Sequence, residues 1–159
     1  MRLTKFSDYA LRVLLYAASC DGRRLVTIED TATLYGISRA HLKKVVRLLI
    51  REGYLEGMRG RTGGFRLALP PERINLGAVL RSTEPDFEMV ECFSAENACR
   101  LSRQCRLPRL INEGLVAMIA VFDAHTLADI LVEPRHFATE PLLPWPRRGP
   151  SLPSLGSDD

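Results

Sequence analysis

Histidine is scarce in this chain, with three in 159 residues, and there is a single tryptophan. His41, His125 and His136 are scattered and make no recognisable catalytic set with a serine or cysteine, so an enzyme is not expected. Long apolar runs are missing too: the longest, Leu115 to Phe122, is far short of the about 20 residues that a membrane-spanning helix needs. A secretion signal is unsupported, because the apolar run after Arg12 is short and Asp8 lies upstream of it. The expected location is therefore the cytoplasm, with no membrane partner, where thiols stay reduced. Neither the P-loop nor the dinucleotide fingerprint is present, which removes the usual nucleotide-binding reading of the glycine-rich stretch. Net charge is only +3, and as a total it says little.

The distribution of that charge says more. Between residues 38 and 66 stand eight basic side chains, Arg39, Lys43, Lys44, Arg47, Arg51, Arg59, Arg61 and Arg66, against Glu52 and Glu56 alone. The excess of six is local, the form expected of a face that binds a polyanion. Cysteine is concentrated in the same way. Three of the four, Cys92, Cys99 and Cys105, fall in one polar stretch between Glu91 and Leu107, with gaps of six and five residues. Ser, Glu, Asn, Arg and Gln surround them, unlike the apolar neighbours of a buried structural cysteine. Three clustered thiols suit a disulfide framework poorly, but they can hold a soft metal or an iron–sulfur cluster and leave one coordination position for another ligand.

The pattern along the chain is mainly α, with one small β-hairpin. Thr4 is a plausible N-cap for a helix over Lys5 to Ser19, whose apolar stripe includes Cys20 as an expected core thiol. Asp8 lies off that stripe, on the exposed face. Thr27 opens a short helix to Leu34, Tyr35-Gly36-Ile37 turns, and Ser38 caps a basic helix to Glu52, which is a helix-turn-helix pattern. Two strands follow, Tyr54 to Met58 and Phe65 to Leu69, joined by the tip Arg59-Gly60-Arg61-Thr62-Gly63-Gly64. An arginine-bearing hairpin directly after a helix-turn-helix reads as a wing, and residues 1–70 as a DNA-binding domain. Ser38, Arg39, His41 and Lys44 are the expected major-groove contacts, with Arg59 and Arg61 from the wing.

Residues 71–107 read as a connecting helix around Leu76 to Arg81, a β-prone piece near Phe87 to Val90, and the cysteine loop. Residues 108–133 hold a long helix from Pro108 to Asp123 and a short one from Thr126 to Val132. Leu110, Ile111, Leu115, Met118, Ile119 and Phe122 form a stripe on the long helix that is broad for a surface helix, so a partner chain is expected to cover part of it. Residues 134–159 are rich in proline and read as a disordered tail.

Together, the start Met-Arg-Leu-Thr-Lys-Phe-Ser-Asp-Tyr-Ala-Leu-Arg, the Ser38-Arg39-Ala40-His41 helix start, the Arg-Gly-Arg-Thr-Gly-Gly wing and the three-cysteine loop carry a resemblance. With the closing Thr-Leu-Ala-Asp-Ile-Leu, they are similar to the family of winged-helix iron–sulfur transcription regulators, and within it to the nitric-oxide-sensing repressors, over residues 1–132. The resemblance implies a homodimer in which the long helix crosses its twin, bound to a palindromic operator in double-stranded promoter DNA. It implies one cluster per subunit, [4Fe-4S] rather than [2Fe-2S], on Cys92, Cys99 and Cys105. Asp8 of the partner's first helix would be the fourth ligand, and nitric oxide the signal that releases DNA. The iron–sulfur-assembly branch of the family uses a histidine after the third cysteine, whereas Leu107, Pro108 and Arg109 follow Cys105 here. Other readings of the residues are a relative sensing iron–sulfur status or redox stress, a zinc- or thiol-based repressor, and an electron-transfer protein, which would need no basic wing.

Overall fold

Thr4 begins the first helix by accepting the Ser7 N–H on its hydroxyl, and α1 then runs Lys5–Ser19, as the sequence predicts. The computed structural model describes residues 3–20, 24–60, 62–101 and 104–137. α2 spans Ile28–Tyr35, one residue longer than its apolar pattern suggests, and carries a capping box in which Thr27 and Asp30 satisfy each other's backbone N–H. Gly36, left-handed, closes it. Ser38 caps α3, Arg39–Arg51, by accepting the His41 N–H at 3.4 Å, and Glu52 is the C-cap rather than a helical residue.

β1, Leu55–Met58, pairs antiparallel with β2, Gly64–Leu67, with Leu55 opposite Leu67 and Met58 opposite Gly64. Both strands are shorter than the sequence pattern suggests. Arg66 donates to Glu56 across this ribbon, and Gly60 at the tip takes φ 124°, a conformation that a side chain would strain. The hairpin is anchored to the helices by a bridge that the sequence does not announce. Val26, just before α2, exchanges backbone hydrogen bonds of 2.9 and 2.8 Å with Phe65.

α4, Leu76–Thr83, follows a 3-10 turn at Pro71–Arg73, and α5 runs Leu107–Asp123. No strand forms at Phe87 to Val90; those residues are coil, leading into a 3-10 turn at Glu91–Phe93. The segment after Thr126 is a 3-10 turn, Leu127–Ile130, rather than a helix reaching Val132. Asn75 bridges Thr126, so the chain end returns to the start of α4. One apolar core joins these parts: Ala10, Val13, Leu14 and Ala17 of α1 meet Leu42, Val45, Val46 and Leu49 of α3, Phe65 of the wing, and Ile74, Val79 and Leu127 from beyond it. α1 is thus the central helix, packed on α3 on one side and α4 on the other. Cys20 is only half-buried at the edge of this core, not inside it, with its sulfur 4.0 Å from the Ser19 hydroxyl.

The first residues of the proline-rich segment are ordered: Pro134–Phe137 forms a 3-10 turn, and the Phe137 ring lies 5.7 Å from that of Tyr16 on α1. Residues 138–159, the rest of the expected tail, lie outside the described residues. No helix among the described residues is long and apolar enough to cross a membrane.

Candidate functional site

The candidate residues fall into two groups, a basic face and a cysteine loop. On α3 the core takes Leu42, Val45, Val46 and Leu49, which turns Arg39, His41, Lys43, Lys44 and Arg47 to solvent. Lys43, Lys44, Arg47 and Arg51 line a surface groove with Phe6 and Leu48. Three arginines of the basic stretch are already in ion pairs: Arg39 with Glu29 of α2 at 2.8 Å, Arg51 with Glu52, and Arg66 with Glu56. Among the described residues no ion pair involves Lys43, Lys44, Arg47 or Arg59. The cationic face open to a polyanion is therefore these four, and Arg39 joins it when Glu29 lets go. Exposed pairs of this kind are worth about 0–1 kcal/mol, so a phosphate competes with Glu29 easily. Arg61, the second wing arginine of the sequence prediction, lies outside the described residues.

Asp8 and Tyr9 sit side by side on α1 and face different partners. Asp8 accepts from Arg12 at 3.0 Å, one turn on, and its side chain is 46% exposed. Tyr9 brings its ring 6.3 Å from that of His41, at the start of α3. Arg12 also stands over the ring of Tyr35, the last residue of α2, whose hydroxyl donates to the Arg12 carbonyl at 3.2 Å. Burial pushes the Tyr35 hydroxyl up to about 12, against the pull of the Arg12 guanidinium, so it stays a donor. Nothing in the spacing of Tyr9 and His41 announces their contact. Glu29, likewise missed, read only as a first-turn carboxylate.

The cysteine loop is held mainly by short-range bonds. The Glu91 carboxylate accepts the Ala98 N–H at 3.3 Å, the Asn97 side chain accepts the Cys99 N–H at 2.9 Å, and the Leu101 carbonyl accepts from Gln104 and Cys105. Cys92 is half-buried, while Cys99 and Cys105 are exposed. All three are reachable thiols of the type that binds soft metals, so the donor chemistry fits. The loop conformation does not gather them: among the described residues no group of three or more His, Cys, Asp or Glu side chains stands close enough to hold an ion.

α5 carries the expected stripe and a second, outward row. Of the expected stripe, Ile119 is buried, Ile111, Leu115, Met118 and Phe122 are half-buried, with Leu115, Met118 and Phe122 lining an open cleft, and Leu110 is 66% exposed. The outward row is Leu107, Leu110, Gly114, Ala117, Val121 and Ala124, all exposed. Their alternating three- and four-residue steps are those of a helix–helix seam, a signal that the sequence does contain.

The comparisons with known proteins bear on both halves. A model of the Rrf2 family, described as iron-dependent transcriptional regulators, matches residues 3–133. The "HTH-type transcriptional regulator NsrR" of Bacillus licheniformis is 47% identical over 137 residues, covering 86% of this chain and 96% of that protein. Its namesake from Bacillus subtilis is 47% identical over 132 residues, covering 82% and 90%. Among solved structures, the global cysteine regulator CymR of B. subtilis superposes with a TM-score of 0.62 at 22% identity, over 82% of this chain and 95% of that one. The IscR of T. potens does so at 0.65 and 21%, over 82% and 85%, and both show the shared winged-helix fold. The match over nearly all of the described residues, and identities near one half to named regulators rather than enzymes, place the chain in the Rrf2 family of iron-dependent transcriptional regulators.

Proposed function

We propose that the chain is a dimeric repressor whose grip on promoter DNA depends on an iron–sulfur cluster and is released by nitric oxide. The observation that carries the reading is the arrangement of α1. Exposed Asp8, the proposed ligand, is followed directly by Tyr9, whose ring lies 6.3 Å from that of His41 at the start of α3, so one helix would serve both signal and output. The relatives named NsrR and the motif resemblance to nitric-oxide-sensing repressors support the choice of signal.

In this reading Cys92, Cys99 and Cys105 of one subunit hold a [4Fe-4S] cluster, and Asp8 of the other completes the set. Bound there, the cluster would supply iron able to react with nitric oxide. The protein's own residues do the rest. To join that set Asp8 would give up its pair with Arg12, and α1 would take the position set by the cysteine loop of the other copy. Because Ala10, Val13 and Leu14 pack against α3, that position fixes how Arg39, His41 and Lys44 are presented. Two copies joined through the Leu107–Ala124 row would hold their recognition helices about 34 Å apart, one turn of a palindromic operator. Ser38 would add a hydroxyl at the helix start, and Arg59 and Arg61 would be the wing's contacts in the flanking groove. A 100-fold change in affinity needs only about 2.7 kcal/mol between the two states. Such a regulator works in the cytoplasm.

The test is fluorescence anisotropy of anaerobic protein on promoter fragments with and without nitric oxide. Specific binding that nitric oxide weakens by 10-fold or more is expected. Binding that responds to peroxide or zinc but not to nitric oxide would favour the thiol or zinc reading.

A further inference from the structure

α4 is fastened at both ends. At its start, the Asn75 side chain donates to the carbonyls of Asp123 and His125 at 2.7 and 3.2 Å, gripping the end of α5. Arg81 forks onto the Asp123 carboxylate at 2.6 and 2.7 Å. At its far end stands Glu84, the C-cap, whose carboxylate takes no part in that grip. One of its oxygens accepts both the backbone N–H of Thr4, at 2.9 Å, and the Thr4 hydroxyl, at 3.2 Å. Thr4 is the N-cap of α1, and its hydroxyl also accepts the Ser7 N–H. With its proton on Glu84 and a lone pair on Ser7, that hydroxyl has one orientation, so the carboxylate fixes the first turn of α1. The Thr4 carbonyl in turn accepts the Asp8 N–H at 3.1 Å.

Past Glu84 the chain is coil. Pro85 to Met89 do not pack tightly but line an open cleft of about 630 Å³, whose far wall is Leu115, Met118 and Phe122 of α5. The stem of the cysteine loop thus has room to shift, and where it leaves α4 it is tied to the turn that bears Asp8. A surface hydrogen bond would transmit nothing; this one is half-buried, doubled on one oxygen, and joins residues 80 apart.

We propose that Glu84 is a positioning residue that passes the state of the cysteine loop to α1 of the same chain, through its two hydrogen bonds from Thr4. The inference rests on the functional reading above, in which the loop and α1 are the sensing and responding parts. In a dimer, each α1 would then be set twice, by its own stem through Glu84 and by the partner's loop through Asp8.

The experiment compares full-length wild type, Glu84→Ala and Glu84→Gln in two readouts. The first is promoter affinity of cluster-reconstituted and cluster-free protein, expressed as their ratio. The second is amide hydrogen exchange of residues 5–10 in cluster-free protein. Glu84→Ala is expected to reduce the affinity ratio at least 10-fold and to speed exchange in that turn. Glu84→Gln keeps an acceptor oxygen for both donors and is expected to restore most of the ratio, which a general loss of packing would not predict. Glu84→Asp is too short to reach Thr4 and replaces the alanine variant if that fails to fold. A Glu84→Ala protein with the wild-type ratio and exchange overturns the proposal. A wild type with no difference between its two forms overturns the functional reading instead.

Discussion

Truncating Leu110 to alanine is expected to weaken self-association without unfolding the subunit. Leu110 belongs to the outward row of α5 and is 66% exposed in the single chain, so its contribution to the subunit's own core is small. Fully burying a leucine is worth about 1.5–3 kcal/mol, and two-thirds of that is about 1–2 kcal/mol per copy. A two-fold interface removes the side chain twice. The loss is then about 2–3 kcal/mol once the remaining methyl is allowed for, a dissociation constant roughly 30- to 150-fold larger. Sedimentation velocity over a dilution series reads this directly. Arg109→Ala is the control, since Arg109 is 86% exposed on the same helix but ion-paired to Glu113 outside the row. The expected result is a dimer that dissociates at higher concentration in Leu110→Ala and not in Arg109→Ala, with equal thermal stability of the monomers. An unchanged dissociation constant, or a wild type that is monomeric throughout, would refute the assignment of this face.

Three other outcomes follow from the geometry. Gly77→Ala should destabilise the protein in thermal melts although helix propensity favours alanine by about 1 kcal/mol. The new methyl would overlap the Asp123 carboxylate that Arg81 holds, and overpacking of this kind costs about 1–3 kcal/mol; in an Asp123→Ala background the loss should shrink, leaving the tight 3.0 Å approach to the Asp123 backbone nitrogen. Lys44→Ala should weaken DNA binding evenly across sequences and lower the salt slope by about one, whereas Arg39→Ala should relax the preference at one base pair. The raised Tyr35 hydroxyl gives a sign for alkaline unfolding. Its folded form keeps the proton up to about 12 while the unfolded chain loses it near the ordinary tyrosine value of 10.0, so stability is full below 10 and falls as pH rises towards 12. Tyr35→Phe, followed by urea melts across that window, should flatten the fall.

Local chemistry made much of this legible in the sequence. Thr4, Thr27 and Ser38 each place a side-chain oxygen where helix N–H groups lack partners, and all three cap the helices expected of them. The wing was readable because glycines and arginines interrupt two short apolar runs. What failed was decided at long range. Phe87 to Val90 looks like a strand, yet the hairpin's neighbouring pairing is taken by Val26, and the segment lines a cleft instead. The outer row of α5 was not picked out, because only Leu110 of the expected stripe belongs to it, while Ile119 of that stripe is buried and Ile111, Leu115, Met118 and Phe122 are half-buried. Pro134–Phe137 is ordered because Phe137 finds the ring of Tyr16, a partner far away in sequence. The cysteines were conspicuous from their polar surroundings, while the ties that link them to α1, through Glu84 and Thr4, carry no spacing signature.

The most direct measurement is an anaerobic visible absorption spectrum of the purified protein, with iron and sulfide determined on the same sample and nitric oxide then titrated in. A broad visible band, about four irons and four sulfides per subunit, bleaching by nitric oxide and loss of the band in Cys99→Ala are the predicted results. A colourless protein that holds zinc or no metal after strictly anaerobic preparation would contradict the cluster account, leaving the winged helix to answer to a different signal.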